Sequence, residues 1–253
     1  MKLEMNNLSY SIDNEKLLHD ISIKIKEGEF VGIVGPNGCG KSTLLKNIYR
    51  VYRPKFGDIF IDGEEIQKLS SRKIARKMAV MVQENNVEFD ISVLNMVLLG
   101  RYAHKKILED DSPKDIEIAR ESLKKVGLEK YEDRSFLNLS GGEKQRVLIA
   151  RVIAQQSKFI ILDEPTNHLD IRYQFQIMNI VSSADITVLA SIHDLNMAAL
   201  YCDMIFIMYE GEIIDYGSPQ RVITTEMIKK VFGVNSIIEP NPVTKKVNVV
   251  YVP

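Results

Sequence analysis

The 253 residues hold 33 basic against 34 acidic side chains, a net charge of −1, with the basic residues scattered, so nucleic acid has weak electrostatic support as a partner. The length suits one large domain, or a core with a smaller subdomain, and two cysteines, Cys39 and Cys202, exclude a disulfide framework or a Cys-based metal cluster. Met1-Lys2-Leu3-Glu4 opens without an apolar targeting stretch, and no run approaches the roughly 18 apolar residues that span a bilayer, so the expectation is a chain soluble by itself in a reducing compartment.

Apolar residues tend to alternate from Leu17 to Ile25, Glu27-Gly28-Glu29 makes a turn, and Phe30 to Val34 reads as a buried strand. That strand delivers Gly35-Pro36-Asn37-Gly38-Cys39-Gly40-Lys41-Ser42-Thr43, a phosphate-binding loop running into a helix from Lys41 to about Tyr49. Gly35 and Gly40 let the backbone turn its N–H groups toward a polyphosphate, and the helix adds the positive end of its dipole. Lys41 then reaches the β and γ phosphates, Ser42 places its hydroxyl on Mg²⁺, and Thr43 is a second phosphate contact. Cys39 occupies a variable loop position near phosphate, with no paired base to make it a nucleophile.

Further on, Phe56-Gly57-Asp58 and Asp62-Gly63 bracket a short strand, Ser70 to Met78 reads as helix, and Ala79 to Val82 as strand. Arg72 to Lys77 interleaves basic residues with Ile74 and Ala75, which fits either a solvated helix face or an anion or lipid-head contact. From about Phe89 to Gln156 the pattern turns helical, including Pro113 to Val126 and Glu143 to Gln155, and suggests a helical insert. Strand character returns at Phe159 to Leu162 and Thr187 to Ser191, each leading into polar loop residues and a helix, as in doubly wound α/β proteins. Ile205 to Met208 and Glu212 to Tyr216 read as a hairpin around Glu210-Gly211, followed by a helix from Thr225 to Phe232; Ser236 to Glu239 and Lys246 to Tyr251 suggest a second hairpin.

Three groups outside the loop carry chemistry. Asp163 and Glu164 end an apolar strand, where Asp163 would hold Mg²⁺ through its water shell and Glu164 would act as general base or water-positioning group, unless it merely caps the loop. Ser140-Gly141-Gly142-Glu143 opens a helix: Ser140 is an N-cap with Glu143 completing a capping box, either alone or while also binding an anion. A second anion-binding helix end is surplus around one triphosphate, and a two-fold dimer that lends Ser140 and Gly142 to the site of the other copy's Lys41 resolves this. His193 follows the strand Val188 to Ile192 and either donates a hydrogen bond to nucleotide or is an ordinary loop histidine; with His168 it makes no convincing zinc site.

In order and spacing, the loop at 35 to 43, the motif at 139 to 143, the acids Asp163 and Glu164, and His193 resemble the ATP-binding subunit of ATP-binding-cassette transporters over nearly the whole chain. The resemblance implies an α/β P-loop nucleoside triphosphatase core of that type in a single domain, 1–253, with a helical subdomain at 86–158 inserted within it and a small antiparallel β portion. It implies ATP and Mg²⁺ as cofactors. By resemblance, Gln83 joins the Mg²⁺ site to the helical subdomain, Asp170 belongs to the loop communicating across the dimer, and His193 contacts the γ-phosphate. The family commonly stacks an early aromatic on adenine; here Ile12 aligns with it, while Tyr10 lies two residues earlier and shares its strand face only if the strand stays regular.

Leu94 to Tyr102 and Asn167-His168-Leu169-Asp170 look most like importers of ferric siderophores, haem or cobalamin. That likeness implies a homodimer in the closed ATP-bound state, a dimeric integral membrane permease, indirectly an extracytoplasmic substrate-binding protein, and a peripheral position on the cytoplasmic face of the cell membrane. A soluble cassette ATPase of translation or repair, and a scaffold that only binds nucleotide, are the alternatives.

Overall fold

The computed structural model describes residues 1–13, 15–82, 90–106, 109–167 and 169–253. The chain opens with β1 (Leu3–Ile12), β2 (Glu15–Ile25), β3 (Phe30–Val34), α1 (Lys41–Ile48), β4 (Phe56–Ile61) and β5 (Glu64–Glu65). Next come α2 (Ser71–Lys77), β6 (Met78–Met81), α3 (Val93–Leu98), α4 (Pro113–Lys125), α5 (Gly141–Ala154), β7 (Phe159–Asp163) and α6 (Ile171–Ser182). It closes with β8 (Thr187–Ser191), α7 (Leu195–Tyr201), β9 (Met204–Tyr209), β10 (Glu212–Gly217), α8 (Pro219–Val222), α9 (Thr225–Phe232), β11 (Asn235–Pro240) and β12 (Val247–Val252). These elements form two compact units, one of residues 1–69 with 187–253 and one of residues 70–186. Among the described residues no helix is long and apolar enough to cross a membrane.

In the first unit an antiparallel sheet runs β2-β1-β4-β5. Leu3, Met5, Leu8, Ile21, Ile23 and Ile25 face its core, the alternation of a half-buried sheet. Phe56-Gly57-Asp58, expected from sequence to bracket a short strand, is instead the start of that strand, since β4 begins at Phe56. Gly57 sits there at φ +86, and a Cβ on it would fall 2.5 Å from the Asn6 carbonyl oxygen, so its bareness serves close strand approach. In the same unit β3 lies parallel to β8 on one side and β9 on the other, and β9 pairs antiparallel with β10. All five β3 residues are buried, which is why this strand reads as an unbroken apolar run.

The second unit pairs β6 parallel with β7 and packs α3, α4 and α5 against one another. Helix α4 begins with a full capping box of Ser112 and Asp115 and with Pro113 at its first turn. The basic stretch on α2 is tied inward: Arg72 Nε and Arg76 Nε both donate to the Ala103 carbonyl, at 3.3 and 2.8 Å.

One buried polar network fixes this helical region. Arg101 donates to Asp115 Oδ1 at 2.8 Å, to the Ala154 carbonyl at 2.8 Å and to Gln156 Oε1 at 3.0 Å. Burial pushes Asp115 up, but the hydrogen bonds from Ser112 and Arg101 outweigh it and bring the carboxyl down to about 2. Arg101→Met should therefore cost about 3–5 kcal/mol, because it leaves a buried carboxylate without its counter-ion. The folded value is depressed below an unfolded one of about 3.9, so the Asp115 contribution is complete above that pH and is lost as pH falls toward 2. Urea midpoints of wild type and Asp115→Asn, compared from pH 7 downward, should converge at the acid end; a constant gap would contradict the assignment.

Candidate active site

The phosphate loop is shaped from behind by the β9–β10 hairpin. A Cβ at Gly35 would lie 2.1 Å from the Met208 carbonyl oxygen, so this glycine is required by close approach rather than by its own turn. Gly40 does turn, at φ +105, and Gly38, at φ +78, faces open space. The amide of Gly211 donates to the Cys39 carbonyl at 3.1 Å, pinning the loop's crest. Helix α1 starts at Gly40 without a side-chain cap or an acidic residue in its first turn, unlike the capped α4 and α5. An uncapped helix start below a glycine loop suits an anion.

Lys41 is 5% exposed, and its ammonium donates to the carbonyls of Gly35 at 2.8 Å and Pro36 at 3.0 Å. Both acceptors are neutral, and no ion pair to Lys41 is formed among the described residues, so its charge stays available to a phosphate. Cys39 lies beneath, 3.9 Å from the Lys41 ammonium; burial pushes its thiol up against the lowering pull of that lysine.

His193 belongs to the same unit. In the parallel pair, Ser191 stands opposite Ile33, so His193 and Gly35 each lie two residues further along, at the carboxyl ends of neighbouring strands. Tyr10 and Ile12 are also in this unit. The condition for their sharing a strand face is not met, because the β1–β2 register shifts between Tyr10 and Ser11. Ile12 is exposed, while the Tyr10 ring stacks on Tyr52 at 4.9 Å and 12°. Tyr52, with Lys46 5.7 Å from its ring, is a missed neighbour of the candidate base site; 42 residues of chain separate it from Tyr10, and no local signal links them.

The second unit holds the acids and the Ser140 turn. Asp163 is the last residue of β7 and 3% exposed. Glu164 follows in the left-handed region at φ +51, costly for a residue with a side chain, and its carboxylate accepts from Asn167 Nδ2. Such strain held by its surroundings is a mark of functional positions. Hard oxygens from a hydroxyl such as Ser42 and a carboxylate such as Asp163 are the donor set Mg²⁺ prefers.

Ser140 caps α5 as its spacing predicts: Glu143 N donates to Ser140 Oγ at 3.4 Å, and Ser140 N donates back to Glu143 Oε2 at 2.8 Å. The Ser140 hydroxyl also donates to Glu143 Oε2 at 2.7 Å, and those bonds hold the Glu143 carboxyl below its usual range. A hydroxyl has one proton, so binding an anion would require it to leave Glu143. Gly141 is exposed with open space around it, whereas a Cβ on Gly142 would meet the Tyr173 ring at 3.0 Å. Gln145 donates to the Pro165 carbonyl at 2.9 Å, joining this helix to the segment after Glu164. Asp170 sits at the α6 N-cap, exposed, with no side-chain cap bond. Gln83 and His168 lie outside the described residues.

A family model described as ABC transporter matches residues 18–167. The chain is 34% identical over its whole length to the cobalamin import ATP-binding protein of Halobacterium salinarum, and spans 64% of that relative. It is also 34% identical to the ferric enterobactin transport ATP-binding protein of Escherichia coli K12, over 96% of this chain and 91% of that one. Among solved structures, a transporter described as of metal-chelate type, in an inward-facing conformation, superposes with a TM-score of 0.87 at 25% identity, covering 100% of this chain and 97% of that one.

Proposed function

Because the chain belongs to the ABC transporter family as an ATP-hydrolysing subunit that binds ATP and Mg²⁺, we propose that its hydrolysis powers import of a ferric siderophore, haem or cobalamin across the cell membrane. The observation that carries the import reading is the pair of relatives, each 34% identical across at least 96% of this chain, whose names specify cobalamin import and ferric enterobactin transport. The chain works as a homodimer on the cytoplasmic face, docked to a permease dimer that receives substrate from an extracytoplasmic binding protein. Specificity for the chelate resides in those partners. Purification from native membranes should recover the permease; recovery of ribosomal or repair proteins in its place would favour the soluble-cassette alternative.

Within each site, the loop N–H groups from Gly35 to Thr43, Pro36 excepted, cradle the triphosphate, Lys41 neutralises the β and γ phosphates, and Tyr10 or Ile12 lies against adenine. Ser42, Gln83 and Asp163 would hold Mg²⁺, which supplies charge neutralisation on the phosphates when bound. Glu164 takes the proton of the attacking water or orients it, and His193 donates to the γ-phosphate. The subdomain at 86–158 carries Ser140, Gly141 and Gly142 to the partner's nucleotide, with Asp170 at the same interface. At the partner's γ-phosphate the Ser140 proton turns away from Glu143.

The open surroundings of Gly141 make it a cleaner probe of shared sites than Gly142, whose side chain would also disturb Tyr173. Mixing Gly141→Asp with Lys41→Ala subunits gives heterodimers with one doubly damaged and one intact site. In the assembled transporter, each heterodimer should regain up to about half of wild-type ATPase activity, and an equal random mixture up to about a quarter, if one intact site turns over. Crosslinking in the ATP-bound state should join Ser140 to the partner's loop; a crosslink of Ser140 to its own chain's Lys41 would rule out sharing.

A further inference from the structure

The C-terminal hairpin of β11 and β12 has no part in the reading above, yet it grips the helix that follows His193. Upstream, the His193 turn is anchored by Ile192 N, which donates to the Ile33 carbonyl of β3 at 3.0 Å. Downstream, Asp194 caps α7 by accepting from Asn196 N at 2.7 Å and Met197 N at 3.0 Å. The Asn196 side chain then leaves its own helix. It accepts from Val249 N at 2.7 Å and donates to Val249 O at 3.1 Å, so one carboxamide takes both backbone groups of a residue in β12. The N–H and C=O of a strand residue point to one side, and here that side faces α7, so Asn196 fills the edge of β12 as a neighbouring strand would.

Two further interactions come from the same arm of the hairpin, one from Lys246 just before β12 and one from Tyr251 within it. The Lys246 ammonium donates to the Leu200 carbonyl near the far end of α7. At the near end, burial and the Asp194 carboxylate together push the Tyr251 phenol up. Helix α7 has seven residues, too few to hold a helix in place by its own hydrogen bonds. Its position, and with it the direction in which the preceding turn presents His193, is set by what it packs against.

We propose that Asn196 is a positioning residue for His193 and that the C-terminal hairpin, acting through Asn196, holds the His193 turn in register with the phosphate loop; this rests on the reading of His193 as the γ-phosphate contact. A hydrogen-bond donor to a developing charge must be placed to a fraction of an ångström, and a displacement of about 1 Å can cost up to about 100-fold in rate. The phosphate loop makes none of these contacts, so nucleotide binding is left intact.

The test is a double-mutant cycle on the full chain in its assembled transporter. Asn196→Ala should lower kcat about 10-fold with the KM for ATP within about 2-fold. Val249→Pro, which deletes the donor from the hairpin side, should do the same. His193→Ala should lose at least about 100-fold, and adding Asn196→Ala to it should change the rate by less than about 2-fold, because the residue being positioned is gone. Full multiplication of the two losses, or unchanged kcat in both Asn196→Ala and Val249→Pro, would overturn the proposal. If Asn196→Ala fails to fold, Asn196→Asp keeps the acceptor for Val249 N and should show a smaller kcat loss, again absorbed by His193→Ala. A silent His193→Ala would overturn the γ-phosphate reading and the proposal with it. The two failures are told apart by amide exchange at residues 192–197, which quickens in Asn196→Ala if the brace exists.

Discussion

Glu164→Gln should bind Mg·ATP with near wild-type affinity and hydrolyse it at least about 100-fold more slowly, accumulating an ATP-held dimer. The substitution keeps the shape of the side chain, and the Asn167 amide that donates to Glu164 can donate equally to the new amide oxygen. The turn at φ +51 is therefore retained, and what disappears is the group able to take a proton or orient water through its charge. Single-turnover hydrolysis at saturating Mg·ATP reads the chemical step alone. Near-normal turnover would remove Glu164 from the chemistry and leave it as a loop cap.

Lys41→Ala should fail earlier, in binding as well as in turnover. The ammonium is buried and already aimed by the Gly35 and Pro36 carbonyls, so it meets phosphate with little reorganisation. Its loss removes charge neutralisation from ground state and transition state alike, takes the side-chain donor from the Gly35 carbonyl, and leaves the Pro36 carbonyl only the 3.4 Å bond from Cys39 N. Hydrogen bonds to charged groups contribute about 1.5–3 kcal/mol each, so ATP affinity should fall by at least about 10-fold and hydrolysis further. Asp163→Asn should instead show a defect that grows with Mg²⁺. Calorimetric titrations with and without Mg²⁺ separate the two; equal ATP affinity in wild type and both variants would contradict these assignments.

Much of this was legible in the chain. β3, β8 and α9 lie at the residues that periodicity marks, because central strands are continuous apolar runs and α9 is framed by Thr224 as N-cap and Gly233 in the left-handed region. The capping box at Ser140 and Glu143 follows from spacing alone. Only the Tyr10 to Ile12 end of β1 reads as strand; the rest is not legible, because Asn7 interrupts it at φ +50 and its stability comes from β2 and β4, partners distant in sequence. The pairing of Tyr10 with Tyr52 and of Asn196 with Val249 is invisible locally for the same reason. Local pattern also misassigned Gly57, since glycine punctuates turns and permits close strand approach alike. The strain at Glu164 has no sequence signal, because a glutamate after an apolar strand reads the same whatever its φ.

The most direct test of the central claim is substrate accumulation in proteoliposomes holding the purified transporter, with ATP and Mg²⁺ on the side of this subunit and loaded binding protein on the other. A ferric siderophore, haem or cobalamin should cross toward the nucleotide side in an ATP-dependent manner, and Glu164→Gln should abolish the transfer while preserving nucleotide binding. Transfer that continues unchanged in Glu164→Gln, or robust ATP turnover with none of the three substrates moved, would contradict the account.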